Sequence, residues 1–426
     1  MKIKTVKRSY DEVCLIPVPE HIRPKKPNRA LGALMRLLSA PDLKAVDFTY
    51  NVENAERISD GPKLILMNHS SFLDLEIASR MIKEPYNIVC TSDGLVGKEK
   101  LMRSLGCIPT RKFVTDIKLI SDLKYAVKTN RTSVLMYPEA SYSFDGTATP
   151  LPRKMGVLFK ALGVPVIMIT TYGSFARDPL YNNLQKRKVK VTATKKCLFT
   201  PDEIKSLSIE EIDSILDEAF SFDYFRWQKE NNIRITEKFR ADGLNRILYK
   251  CPHCMNEGET EGSGTTFVCH NCGALYDMDE FGNLISRAGN TRFSHIPDWY
   301  AWERECIRAE INEGTYSLDA DVSIGMIVDY NALYMVGRGH LHHDPSGFTL
   351  TGCDGKLTYT QGPRKCYSCY SDYYWYEIGD MICIGDNNVL YYCFPDKRDI
   401  VAKVRLATEE IYKRSENKRS DRSTQT

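Results

Sequence analysis

Between about residue 60 and residue 200, short apolar runs alternate with amphipathic segments. Residues 63–67, 86–91, 133–137, 164–170 and 189–193 read as strands, and residues 73–83, 98–105, 116–128 and 155–162 carry helical spacing. This alternation predicts an α/β sandwich with a largely parallel central sheet. Ahead of it, residues 24–46 read as a basic loop and a short amphipathic helix. Leu31, Leu34, Met35, Leu37 and Leu38 are its apolar positions, Arg29 and Arg36 its cations, and Pro41 is expected to interrupt it. Residues 202–248 are helical and charged, a cap or linker. From Tyr316 to Phe394 helical spacing disappears. Turn signals recur there at Asp354-Gly355, Gly379-Asp380, Gly385-Asp386 and Asn387-Asn388, which predicts a meander of short antiparallel strands. Helical spacing returns over residues 400–413.

The resulting domain plan has five parts. Residues 1–50 form a basic amphipathic segment, 51–245 the α/β domain, 246–290 a cysteine module, 291–414 a β-rich domain with a C-terminal helix, and 415–426 a polar, disordered tail. A sheet closed by a helix resembles a pleckstrin-homology-like or similar small sandwich. Composition fits a folded chain: 42% of the 426 residues are hydrophobic and 27% charged, enough for a packed core. The net charge of +3 is uninformative, but Arg23, Lys25, Lys26, Arg29 and Arg36 lie close together. No run reaches the roughly 18 apolar residues of a membrane span. Met1-Lys2-Ile3-Lys4 does not open a signal peptide. The expected location is therefore cytoplasmic, peripheral to the inner face of a membrane. The basic helix supports that through an interfacial reading, against the plainer one of a surface helix packed on its domain.

Fourteen cysteines in a long chain without a signal point to free thiols and metal ligands. Cys251-Pro252-His253-Cys254 and Cys269-His270-Asn271-Cys272 are two Cys-x-x-Cys pairs separated by fourteen residues. Each pair can clamp one side of a tetrahedral metal. The pattern resembles a zinc ribbon, with Cys251, Cys254, Cys269 and Cys272 as ligands of a structural zinc and His253 and His270 as spectators. The intervening loop carries Glu257, Glu259 and Glu261 and no basic residue, which argues against nucleic acid. It favours a protein partner, through the ribbon or the β-domain, or bracing between domains. Cys366 and Cys369 form another such pair, downstream of Cys353, in an aromatic strand-like run. A second metal completed by His340, His342 or His343 is the alternative to plain strand residues.

The strongest chemical signal is Asn68-His69-Ser70-Ser71-Phe72-Leu73-Asp74, directly after an apolar strand. A histidine takes and returns a proton near neutrality, and a nearby carboxylate fixes its tautomer. Five residues turn a regular helix about 140° out of line. His69 is therefore expected in the loop ahead of the helix, with Ser70 or Ser71 near its N-cap. Three further blocks follow in order: Gly106-Cys107-Ile108-Pro109-Thr110-Arg111, then Tyr137-Pro138-Glu139-Ala140-Ser141-Tyr142-Ser143, then Val164-Pro165-Val166-Ile167. Together, over roughly residues 50–200, they resemble the glycerolipid acyltransferase family typified by 1-acyl-glycerol-3-phosphate acyltransferase. The fold expected is thus a glycerolipid acyltransferase-like α/β sandwich with a small zinc ribbon and a C-terminal β-rich domain.

The resemblance implies an acyltransferase. It would move an acyl group from acyl-CoA or acyl-carrier protein to the free hydroxyl of a lysophospholipid, first of all lysophosphatidate to phosphatidate. His69 would be the general base and Asp74 its orienting partner. Arg111 would grip the acceptor phosphate. Glu139 would hold the acceptor or support the loop around it, and Gly106, Ala140, Ser141 and Lys154 would complete the substrate site. No glycine-rich nucleotide loop is visible, so no redox or nucleotide cofactor is expected. The third block departs from the family's Pro-Glu-Gly-Thr-Arg-Ser: Ala140 stands for glycine and Tyr142 for a phosphate-binding arginine, with Arg153 and Lys154 as candidate replacements. In the fourth block, Met168 stands where the family often has proline. These departures support an alternative, a degenerate core acting as a zinc-ribbon scaffold or a lipid- or protein-binding module. Intact His69, Asp74 and Arg111 oppose it.

Overall fold

Leu64, Ile65, Leu66 and Met67 are all fully buried, as a strand covered by helices on both faces must be. They form the middle strand of a seven-stranded sheet in the computed structural model, which describes residues 2–114 and 116–423, with side chains to 416. The strands of this sheet are β1 (Thr49–Glu53), β2 (Leu64–Met67), β3 (Tyr86–Thr91), β4 (Cys107–Thr110), β5 (Ser133–Met136), β6 (Val166–Tyr172) and β7 (Thr192–Phe199). Their spatial order is β1-β7-β6-β2-β5-β3-β4. Every pair is parallel except β6 with β7. The expected strand at 189–193 is displaced to Thr192–Phe199. Val189 and Val191 bury in the loop that leads in, and Ala193, Cys197 and Phe199 bury along the strand itself.

Alternation sends Leu64 and Leu66 to one face of the sheet, with Val134, Met136, Val166 and Met168. Helices Ile117–Lys124, Met155–Leu162 and Ile209–Ala219 cover that face through Leu123, Phe159, Leu162, Ile212 and Leu216. Helix Leu73–Met81 buries Ile77, Ala78 and Met81. Helix Arg29–Ala45 lies against it, with Ser79 Oγ donating to Ser39 Oγ at 3.5 Å. The expected break at Pro41 is not there: the helix runs through it to Ala45. The charged stretch after residue 200 begins as two helices whose N-termini are closed by reciprocal Thr200/Glu203 and Ser208/Glu211 capping boxes.

This unit comprises Glu20–Pro179 and Gln185–Ile233; a second comprises residues 2–19, 180–184 and 234–423. The first fifty residues split at residue 19, and the cysteine module and the β-rich region fall in one unit. There, Thr5–Lys7 adds a parallel strand to Leu333–Met335. The expected meander supplies seven antiparallel strands of one eight-stranded sheet, and Thr5–Lys7 is the eighth. The halves of the sheet are joined because Leu390–Pro395 returns to pair antiparallel with Leu318–Ile327. The expected disordered tail is helical as far as Ser423, the end of helix Val401–Ser423, and residues 424–426 lie outside the described residues. Among the described residues no helix is long and apolar enough to cross a membrane.

Gly106 shows how tightly the first unit closes around β4. Its φ is +94°, and a Cβ there would lie 2.7 Å from Pro27 Cγ and 3.2 Å from the Tyr86 carbonyl oxygen. Its own carbonyl accepts from the Asn87 amide at 2.8 Å. Both the left-handed backbone and the close ring oppose a side chain. Gly106→Ala is expected to cost roughly 2 kcal/mol or more in urea unfolding; an unchanged midpoint would show that the Pro27 loop simply moves away.

Candidate active site

Two adjacent parallel strands deliver the site. Leu66 of β2 lies opposite Met136 of β5, so the segments leaving their carboxyl ends emerge side by side, where such sheets bind ligands. β2 leads into Asn68-His69 and β5 into Tyr137-Pro138-Glu139. They meet directly: the His69 backbone N–H donates to Glu139 Oε2 at 2.9 Å. Glu139 Oε1 accepts from the Thr149 N–H at 2.9 Å and its hydroxyl at 3.1 Å. Buried and bonded in this way, Glu139 braces two loops. On the other side, Asn68 Oδ1 accepts from the Thr171 N–H of β6 at 2.8 Å, and its amide donates to the Thr171 carbonyl at 3.2 Å.

His69 stands in the loop ahead of helix Leu73–Met81, as the spacing predicts. Asp74, in the first turn, is fully buried. Its Oδ2 accepts from the backbone N–H groups of Ser70 at 2.8 Å and Ser71 at 3.0 Å, and lies 3.1 Å from His69 Nδ1. Amides at a helix N-terminus lack helical partners and favour a carboxylate. Phe72 holds the N-cap position, but Ser71 Oγ accepts from the Leu73 N–H at 3.0 Å. A carboxylate only accepts, so its bond to Nδ1 fixes the Nδ1–H tautomer and puts the ring's lone pair on Nε2.

Tyr137 stacks on the His69 ring with centroids 4.1 Å apart, and Tyr142 stacks on it at 3.9 Å. Burial pulls the basicity of His69 below its ordinary value of 6.5; Asp74 opposes this, and the Lys112 cation reinforces it. At neutral pH the ring is an uncharged acceptor with 14% of its side chain exposed. Two polar atoms beside it, Asp74 Oδ1 and the Tyr137 hydroxyl, are buried without a hydrogen-bond partner.

The other expected site residues are spread more widely. Arg111, half-buried, leaves the carboxyl end of β4, an edge strand separated from β2 by β5 and β3. Lys112, one residue on, is near enough for its charge to be felt at His69. Ala140 sits in a left-handed turn (φ +54°), the conformation that suits the glycine it replaces. Ser141 is buried. Gly106 is the packing glycine at the start of β4. Lys154 precedes helix Met155–Leu162 with its N–H on Asp213 Oδ2 at 2.8 Å, and Arg153 pairs with Asp217 at 2.6 Å. Both are anchored to helix Ile209–Ala219. Sequence reasoning missed Lys112, the Asn68–Thr171 clamp and the two tyrosines on the histidine. Both tyrosines lie in the third block, but nothing in a linear motif says which ring stacks on which.

In the second unit, Cys251, Cys254, Cys269 and Cys272 converge, their sulfurs all within 4.8 Å of one another. The Cys251–Cys272 and Cys254–Cys269 separations are both 3.7 Å. A tetrahedral four-thiolate metal with bonds of about 2.3 Å has edges of about 3.8 Å, so the cluster fits such an ion. His253 faces Tyr276 and His270 binds Glu261 at 2.7 Å, both outside the cluster. No other such group forms among the described residues. Cys366 and Cys369 lie in a loop just before strand Tyr370–Trp375 rather than in it. His343 is buried against Tyr316 and Phe348, while His340 and His342 pair with Asp319.

A buried His–Asp pair whose Nε2 has no hydrogen-bond partner among the described residues, at the carboxyl end of a largely parallel sheet, is equipped to activate a hydroxyl. Residues 49–172 match the family model described as Acyltransferase. The chain is also similar to the crystal structure of the 1-acyl-sn-glycerophosphate (LPA) acyltransferase PlsC from Thermotoga maritima. Identity is 18%, the match covers 45% of this chain and 78% of that one, and the TM-score is 0.36. None of the curated proteins matches the chain.

Purified protein is expected to carry about one metal ion per chain at the four cysteines. Cys254→Ser should lower that content and the unfolding temperature together. A metal-free wild type with four freely titrating thiols would remove the site.

Proposed function

We propose that the protein transfers a fatty acyl group from a thioester, acyl-CoA or acyl-carrier protein, to the free hydroxyl of a lysophospholipid, first of all lysophosphatidate. The observation that carries this is the His69 Nδ1–Asp74 Oδ2 pairing, with no hydrogen-bond partner on Nε2 among the described residues, in a domain that matches the Acyltransferase family model. The acceptor hydroxyl gives its proton to Nε2 as its oxygen attacks the thioester carbonyl. Asp74 stabilises the imidazolium that forms. The C–S bond breaks, and the proton passes to the departing sulfur. General base catalysis of this kind contributes about 10²–10⁴-fold. Arg111 and Lys112 supply positive charge for an acceptor phosphate, Arg111 through its planar guanidinium. Zinc is the metal that the four cysteines suit, in a structural role, since four thiolates leave no open position for chemistry.

Helix Arg29–Ala45 supports a membrane-surface acceptor. Leu34, Leu37 and Leu38 are 48%, 70% and 70% exposed. Arg29 and Arg36 on the same helix, and Lys25 and Lys26 just before it, are exposed too. Exposed leucines with flanking cations suit an anionic lipid surface.

With acyl-CoA and acyl-carrier-protein donors and a panel of lysolipids, wild type should give product by mass spectrometry. His69→Ala and Asp74→Asn should each lose about 10²-fold or more in kcat. Because burial lowers the basicity of His69, the acid limb of kcat/KM should fall below pH 6.5. No product with any pair, from folded protein, would sink the proposal. In sedimentation with vesicles containing phosphatidylserine, replacing Lys25, Lys26, Arg29 and Arg36 by Gln should weaken binding about tenfold or more. Undiminished binding would rule out the interfacial helix.

A further inference from the structure

Three sides of the His69 ring are closed. Tyr137 stacks on it at 4.1 Å and Tyr142 at 3.9 Å, both within 30° of parallel, and because two rings so close to one centroid would collide on a single face, each covers its own. Asp74 closes the Nδ1 edge. Rings about 4 Å apart are in contact and leave no room for water between them. Among the described residues, the edge that carries Nε2 is left uncovered.

The chain is shaped to produce this. Tyr137 and Tyr142 flank a turn in which the Ala140 N–H donates to the Tyr137 carbonyl at 3.0 Å and Ala140 takes a left-handed backbone. The turn is pinned to His69 on both sides: Glu139 accepts from its N–H, and the Ser143 N–H donates to its carbonyl at 3.1 Å. Two tyrosines of one loop are thus held on opposite faces of one imidazole. Phe72, 44% exposed, lies 5.5 Å from Tyr142 and extends the aromatic wall toward solvent.

We propose that Tyr142 is a positioning residue that closes the second face of His69, excludes water from it, and restricts the acceptor hydroxyl to an in-plane approach at Nε2. This rests on His69 being the base. The acceptor must then reach Nε2 along the ring plane, between two phenols. A flat slot of this kind admits a primary or secondary alcohol on a slender chain and keeps bulk water from competing for the acyl group. Among the described residues, Asp74, Lys112 and the two phenols bear on the ring, with Glu139 held on the backbone N–H. Removing the Tyr142 ring would hydrate one face and make the imidazolium easier to form.

The test uses full-length protein with ¹³C-labelled histidine, the His69 signal being assigned by its loss in His69→Ala. In wild type the His69 Cε1–H should titrate below 6.5. Tyr142→Ala should move the midpoint up toward 6.5, and Tyr142→Phe should leave it in place. In parallel assays Tyr142→Ala should lower kcat by on the order of 10–100-fold, raise thioester hydrolysis relative to transfer, and shift the acid limb upward; Tyr142→Phe should do none of these. Should Tyr142→Ala unfold, Tyr142→Leu, which keeps bulk without a flat ring, is read in the same way. An unmoved titration together with an unchanged transfer-to-hydrolysis ratio would overturn the proposal. If the titration moves but His69→Ala remains active, the shielding stands and the base assignment fails. If His69→Ala is inactive but Tyr142 variants change nothing, only the shielding fails.

Discussion

The buried carboxylate of Asp74 is the constraint on which the geometry around His69 turns. A charge taken out of water is costly unless it is bonded. Here the Ser70 and Ser71 amides and the His69 ring all converge on one oxygen. Those amides are available because a helix begins at Leu73, and the helix is held because Ile77, Ala78 and Met81 bury on the domain. Packing, helix geometry and the histidine's tautomer are therefore one problem with one solution. Moving the helix would strand the charge, and neutralising the charge would free the ring.

The two carboxyl groups near the histidine divide their work. Asp74 acts on the imidazole, while Glu139 acts on the backbone that carries it, through the His69 N–H and the Thr149 loop. Both Asp74 Oδ1 and the Tyr137 hydroxyl stay buried without a partner. Polar groups left in this state cluster where a structure is built for something other than stability.

The second unit is organised around charge as much as around apolar packing. Lys250 pairs with Glu257 and Glu310, and Lys403 pairs with the same two residues. This four-membered network ties the cysteine module to helices Ile296–Glu313 and Val401–Ser423. Buried Glu303 accepts from the Lys250 N–H at 2.8 Å, and the Trp299 indole donates to the Lys250 carbonyl at 3.0 Å. Glu257, one of the glutamates of the acidic loop between the cysteine pairs, is held here by Lys250 and Lys403.

The α/β alternation, the His69–Asp74 spacing and the paired cysteines were legible in the sequence because each is a local periodicity or a short-range geometry. Apolar runs must be buried, five residues cannot share a helix face, and Cys-x-x-Cys makes its own knuckle. What needed the tertiary structure involves partners far apart in the chain. Residues 139, 142 and 143 reach residue 69 because β2 and β5 are neighbours, and that order follows from how the sheet packs. Lys112 and the stacked tyrosines are likewise set by the folding of separate loops. The joining of the first nineteen residues to the β-rich unit is of the same kind, resting on a strand pairing between Thr5 and Leu333. Sequence fixes which side chains must be buried or paired; only the closed fold decides with whom, because those contacts are made across the sheet and not along the chain.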